Sequence, residues 1–235
     1  MPVLFILFQI EGGERMLVDL FARVADMIFA RGALKFGAFK LKLHEIQPDA
    51  PLSPFYLNLR TPDNPKPGPL TEEDCILAAE FLWQKILESG LSFSAIAGIP
   101  NAGDPLVAAI EKVAAAPRGF KIIKLGKEVA GDKRKIVPLV GFTYKPGEKV
   151  LLVDDLVTQA DSKFEAIRAV EESGMQVVGL VVLVDRQQGG KQELEKSGYK
   201  LISAFTITEL FDYYRNRGMI TPEKHAECLA YLASN

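Results

Sequence analysis

The chain predicts an α/β fold, a mainly parallel sheet flanked by helices, and three observations carry that prediction. From residue 94 onward, short apolar stretches alternate with segments of helical periodicity. The apolar stretches are nearly continuous, so the strands they form are covered on both faces. Unusual residues then gather where those strands end: Gly98-Ile99-Pro100-Asn101-Ala102-Gly103, Asp154-Asp155, and Asp185-Arg186-Gln187-Gln188-Gly189-Gly190. Ligands of such sheets bind at the carboxyl ends of strands. The three segments are therefore expected to converge on one cleft.

The elements follow in order. Residues 3–8 are strongly apolar but too short to span a bilayer, and no Lys or Arg precedes them as in a secretory signal. Gly12-Gly13 is expected to break the chain, leaving residues 1–15 as an N-terminal extension or an added strand. Residues 15–31 repeat Leu17, Leu20, Phe21, Val24, Met27 and Ile28 at helical spacing, and Gly32 ends the pattern. Residues 36–42 and 53–60 read as short strands around a Pro-containing insertion, so 16–60 forms an N-terminal helix and a small accessory segment. Residues 61–69, with four prolines, form a loop that opens the core domain, 61–235.

Thr71 is a good N-cap followed by three acids, which predicts a helix to about residue 89. Strands are then expected at 94–99, 120–124, 149–153, 176–184 and 199–206. Helices are expected at 104–115, 162–173, 191–197, 207–217 and 222–234. Thr221-Pro222 gives the last of these an N-cap and a proline in its first turn.

Composition narrows the function. With 48% hydrophobic and 25% charged residues and a net charge of −2, nothing points to nucleic acid or to an anionic membrane as a partner. Cys75 and Cys228 form no CxxC pair and fit reduced thiols of a cytoplasmic protein. His44 and His225 are the only histidines, too few for a histidine-rich metal site and poor material for a Ser-His-Asp triad.

The strand ends carry the chemistry. Asp154 and Asp155 point to different sides of an extended backbone and can receive two hydroxyls of one ribose, or hold water around a divalent cation. A solvated acidic pair capping a strand is the plainer alternative. Thr158-Gln159-Ala160-Asp161-Ser162 offers successive N–H groups and two hydroxyls to a phosphate. The same donors serve equally for an ordinary helix cap built on Asp161 or Ser162. Asp161 would repel a phosphate by about 4 kcal/mol per unit charge at ~4 Å in an effective dielectric near 20, so it must turn outward. Ala160 would cost about 1–2 kcal/mol if its position required a left-handed backbone. Arg186 has the fork that suits a planar carboxylate, or it forms a surface ion pair with Asp185. Phe55 and Tyr56 offer a face to a planar ring, or are strand aromatics of the core.

Taken together, these pieces resemble the orotate phosphoribosyltransferases, from Met16 to the C-terminus. The matching segments are residues 32–42 (Gly-Ala-Leu-Lys-Phe-Gly-Ala-Phe-Lys-Leu-Lys), Ser53-Pro54-Phe55-Tyr56, Gly98-Ile99-Pro100, Val153-Asp154-Asp155-Leu156-Val157-Thr158 and Asp185-Arg186-Gln187. The resemblance implies a type I phosphoribosyltransferase fold in which 16–60 supplies a small N-terminal hood. It implies Mg²⁺-dependent transfer of ribose 5-phosphate from phosphoribosyl diphosphate (PRPP) to orotate, in a cytoplasmic homodimer. Asp154, Asp155 and Lys127 would form the catalytic group. Thr158, Gln159, Ala160, Asp161, Ser162 and Lys133 would hold PRPP, and Lys42, Phe55, Tyr56 and Arg186 orotate. Mg²⁺ would be held by the diphosphate and water. The chain departs from the family in the mobile loop, where Gly126 to Lys133 lacks the second Lys and the His of the usual pattern. It departs again at Ala160 and in the longer segment 43–52. These departures open two alternatives: a weakly active or non-catalytic nucleotide-binding protein on the same fold, or a transferase for another base.

Overall fold

The computed structural model of the protein describes residues 2–41, 44, 48–114, 119–130, 133–138 and 144–234, with side chains from Arg15 onward except at 129–130 and 133–134. Helix α1 runs from Pro2 to Ala30 without interruption. The expected break at Gly12-Gly13 is absent, and the division at residue 15 falls inside this helix. A glycine pair costs a helix about 2 kcal/mol relative to alanine, which continuous hydrogen bonding on both sides outweighs. The buried stripe Leu20, Val24, Met27 and Ile28 fixes the helix against the rest of the molecule, and Gly32, at φ +61°, ends the following turn.

Strands β1 (Leu34–Phe39) and β2 (Ser53–Leu57) pair antiparallel, with Phe36 opposite Phe55. Helix α2 (Glu72–Glu88) starts in a capping box: Thr71 accepts the Asp74 N–H, and Asp74 accepts the Thr71 N–H at 2.8 Å. Each such cap contributes about 1 kcal/mol.

Five strands form the central sheet: β3 (Ala95–Gly98), β4 (Lys121–Ile122), β7 (Lys149–Val157), β8 (Gln176–Asp185) and β9 (Leu201–Thr206). Their order is β4-β3-β7-β8-β9 and every pairing is parallel. Helices α3 (Gly103–Val113), α4 (Asp161–Glu172), α5 (Gly190–Lys196), α6 (Ile207–Asn216) and α7 (Pro222–Ala233) accompany the strands. Two apolar cores result. One gathers Val181, Leu183, Phe205 and Phe211 with α1 and α2; the other gathers Leu152, Val182, Ala166 and Val170. Alternate residues of β8 thus feed opposite cores, which is why that strand reads as one unbroken apolar run.

The sequence reading missed one element. Gly126 to Lys133, matched there to the family's mobile loop, falls within an antiparallel hairpin of β5 (Leu125–Ala130) and β6 (Lys133–Pro138). Among the described residues, no helix is long and apolar enough to cross a membrane.

Candidate active site

In chain order the sheet grows outward from β3 to β4, then returns to add β7 on the other side of β3. The gap between the ends of β3 and β7 is thus the switch point where ligands of such sheets bind. Two glycines let the loop after β3 press against β7. A Cβ on Gly103 would lie 2.1 Å from the Val153 carbonyl oxygen, and one on Gly98 would lie 2.7 Å from the Asp104 nitrogen. No side chain larger than hydrogen fits at either place.

Asp154 and Asp155 lie inside β7, which extends four residues beyond its predicted end at Val153. They are 5% and 4% exposed, so they are not a solvated cap. Both oxygens of Asp154 hold a partner: Oδ1 accepts the Asp155 N–H at 2.9 Å, and Oδ2 accepts a bond from Lys163 Nζ at 2.7 Å. In Asp155 only one does: Oδ1 accepts the Leu156 N–H, whereas among the described residues the buried Oδ2 has no partner. Burial, and then the Asp154 charge, push the Asp155 carboxyl well above the usual range; Lys163 and Arg60 oppose the shift.

The phosphate turn settles two points left open by the sequence. Ala160 sits at φ −93°, ψ 2°, so no left-handed conformation is required of it. It is itself the N-cap residue of α4 and makes no side-chain cap bond, so the turn is not an Asp161 or Ser162 cap. Asp161 is exposed, as the phosphate reading demands. A carboxylate nevertheless reaches the turn from elsewhere: Glu193 of α5 accepts the Ala160 N–H at 3.3 Å.

At the end of β8 the chain turns sharply. Arg186 N–H donates to the Val157 carbonyl at 2.9 Å, and Gln187 takes φ +55° with its N–H on Asp185 Oδ1 at 2.8 Å. Asp185 is therefore occupied within the turn, and among the described residues no ion pair joins it to Arg186. Arg186 is 6% exposed, its guanidinium lies 5.0 Å from the Phe55 ring centre, and among the described residues its Nε and Nη2 have no hydrogen-bond partner. Burial lowers its pKa to about 10, which leaves it fully charged at neutral pH. Phe55 is fully buried, edge-on to Phe211 at 5.0 Å and to Tyr231 at 6.0 Å. Tyr56, next along β2, borders instead a small cleft with Lys35 and Asn58.

Sequence reasoning missed several contributors. Asp104 opens α3; although the residue is exposed, surrounding protein that displaces water from its carboxyl, and then the Asp154 charge, raise that carboxyl to about 6. Lys124 and Lys127 oppose that rise, which brings Lys127 of β5 to the β3 side of the site. Arg60, Lys163 and Glu193 were likewise unmarked, since nothing in a helix or loop pattern says which way a long charged side chain turns. A cleft of about 810 Å³ reaches the site at Gly98, Asn101 and Asp104 and continues toward Lys124. Lys42, and the side chain of Lys133, lie outside the described residues. Among those described, no cluster of three or more His, Cys, Asp or Glu side chains could hold a metal ion.

Comparison with known proteins agrees with this geometry. Residues 71–215 match the phosphoribosyl transferase domain. The chain is 32% identical over 189 residues to the orotate phosphoribosyltransferase of Methanopyrus kandleri, covering 80% of this chain and 90% of that one. It is 29% identical over 157 residues to the orotate phosphoribosyltransferase of Caenorhabditis elegans, covering 67% of this chain and 66% of the relative. Among solved structures, the UMP synthase of Leishmania donovani superposes with a TM-score of 0.69 at 28% identity; the match covers 91% of this chain and 42% of that one.

Proposed function

Because the chain belongs to the phosphoribosyltransferase family and, within it, to the orotate phosphoribosyltransferases, we propose that it transfers the ribose 5-phosphate group of PRPP to orotate. The products are orotidine 5′-phosphate and pyrophosphate, a step of pyrimidine nucleotide synthesis. One observation carries the choice of base. Arg186 is a buried, charged guanidinium with two unmatched N–H groups beside the sugar-binding strand end, and orotate carries a carboxylate that can meet both.

The residues divide the work as follows. Asp155 Oδ2 accepts ribose hydroxyl, and Thr158 to Ser162 seat the 5′-phosphate at the start of α4. Arg186 fixes the orotate carboxylate from its platform on Phe55, with Tyr56 and Lys42 assigned to the outer edge of the base site. Lys127 faces the leaving diphosphate, and Lys133, whose side chain lies outside the described residues, is assigned to the same group. As the bond from C1 of the ribose to the diphosphate breaks and the orotate nitrogen takes that carbon, positive charge grows on the sugar and negative charge on the diphosphate. Fixed charges placed beforehand stabilise both.

Mg²⁺ would arrive on the diphosphate with its waters, as suits a small hard cation that dehydrates reluctantly. Its chemistry there is to offset the charge of the leaving group. The active form is a homodimer, which light scattering tests directly. The second reading, a nucleotide binder with little turnover, draws on Glu193 at the Ala160 N–H and on the negative charge of Asp161.

Loss of orotate absorbance with PRPP and Mg²⁺ tests the transferase. Wild type should turn over, and Arg186→Ala should raise the KM for orotate roughly 10–100-fold, the equivalent of about 1.5–3 kcal/mol for a charged hydrogen bond. Tight PRPP binding without turnover in wild type would favour the binder instead.

A further inference from the structure

Lys163 lies in the first turn of α4, yet its side chain folds back beneath the strand end and is buried. Its Nζ donates to Asp154 Oδ2 at 2.7 Å and to the Leu156 carbonyl at 2.7 Å, with Ser162 Oγ at 3.5 Å. The Lys163 and Asp154 side chains are only 5% and 7% exposed. With Oδ1 on the Asp155 N–H, each oxygen of Asp154 already holds a partner inside the protein, while among the described residues Asp155 Oδ2 holds none. We infer that Lys163 is a positioning residue that withdraws Asp154 from ligand contact, so that the ribose hydroxyls are received by Asp155 alone.

The argument is one of competition. A neutral hydroxyl is a weaker donor to a carboxylate than an ammonium group at 2.7 Å. Were it to displace Lys163, it would strand a buried cation, a larger loss than the bond it gains. Asp155 Oδ2 has no such incumbent, and a ribose hydroxyl arriving there satisfies an oxygen that is otherwise buried unpaired. The inference rests on the ribose reading above and divides labour within it: two acidic neighbours that look equivalent in sequence have different tasks.

The test compares wild type, Asp155→Asn, Lys163→Met and the paired Asp154→Asn/Lys163→Met variant. Each is read by calorimetry with ribose 5-phosphate, by PRPP kinetics and by thermal melting to confirm folding. Asp155→Asn should weaken ribose 5-phosphate binding and raise the KM for PRPP about 30-fold or more. The paired variant, which removes both charges of the ion pair together, should keep both values within about threefold of wild type. Lys163→Met alone leaves the Asp154 charge uncompensated beside Asp155, and should raise the KM for PRPP roughly tenfold while kcat changes less than about twofold. A paired variant as poor as Asp155→Asn would show Asp154 touching the ribose and overturn the inference; a Lys163→Met enzyme kinetically identical to wild type would also overturn it. Wild type that binds ribose 5-phosphate but leaves orotate unchanged would sink the transferase reading and leave the binding series to judge the carboxylates. Wild type that binds no ribose 5-phosphate would sink both.

Discussion

Asp104 and Asp155 keep their protons to unusually high pH, which makes the fold's response to pH a measure of the site. Asp104 ionises near 6 in the folded chain and near 3.9 when unfolded. A raised carboxyl favours the fold fully below its unfolded pKa, and that contribution is lost as pH rises through the folded value. Asp104→Asn, which cannot ionise, should therefore gain in Tm over wild type as pH climbs from about 4 to 6, with the gap constant above about 7. Melting curves at four pH values would show this, and a gap independent of pH would refute it. The same variant removes a negative charge from the diphosphate end and should lower the KM for PRPP at pH 8. These residues also mark the limit of the sequence at this scale. Asp154, Asp155 and Arg186 drew attention in the sequence because strand ends in a parallel sheet are where function gathers, and the structure places all three there, buried. Lys163 did not, because a lysine in a first helical turn normally faces water, and only the strand beneath it shows where the Nζ goes.

Helix α4 and its neighbour α5 meet at the turn proposed to seat the phosphate. The turn between β7 and α4 was read from sequence as a phosphate seat with a strained alanine, and the strain is not there: at φ −93° an L-residue is comfortable. Ala160→Gly should consequently bring no gain in PRPP affinity, and a slight loss of stability through the freer unfolded chain. The obstacle sits on α5, where Glu193 takes the Ala160 N–H before any phosphate arrives. An exposed carboxylate at a helix N-terminus is worth about 0.3–1 kcal/mol, so Glu193→Gln should lower the KM for PRPP roughly two- to fivefold in steady-state kinetics. An unchanged KM would mean that the phosphate bypasses this amide. Hairpin β5–β6 was the element hidden from the sequence. Gly126, Gly131 and alternating lysines weaken its period-two pattern, and a two-stranded ribbon with one buried edge needs few apolar residues. With Lys127 of this hairpin proposed to face the leaving group, Lys127→Ala should cut kcat/KM for PRPP roughly 100-fold with little change in Tm.

Across the whole molecule, Phe55 is the residue where stability and base recognition meet. It belongs to the hood strand β2 and packs edge-on against Phe211 of α6 and Tyr231 of α7, while Arg186, from the far side of the sheet's switch point, lies over its face. Sequence offered two readings of this ring, a core aromatic or a platform in the site. Complete burial makes it the first, and the guanidinium 5.0 Å away lets the core serve the second. Truncation and reshaping should separate these contributions. Phe55→Ala opens a cavity beside Phe211 and Tyr231 and should destabilise the chain by about 3–5 kcal/mol in urea unfolding. Phe55→Leu keeps most of the volume and should cost less than about 1.5 kcal/mol. It also removes the π face beneath Arg186, an interaction worth up to about 2 kcal/mol when desolvated, so the KM for orotate should rise several-fold while the KM for PRPP stays near wild type. Equal changes in both constants would mean that Phe55 acts on the site only through the fold. A selective change in the orotate term would tie the hood, the two C-terminal helices and the carboxylate-binding arginine into one unit, placed so that the last helices of the chain help choose the base.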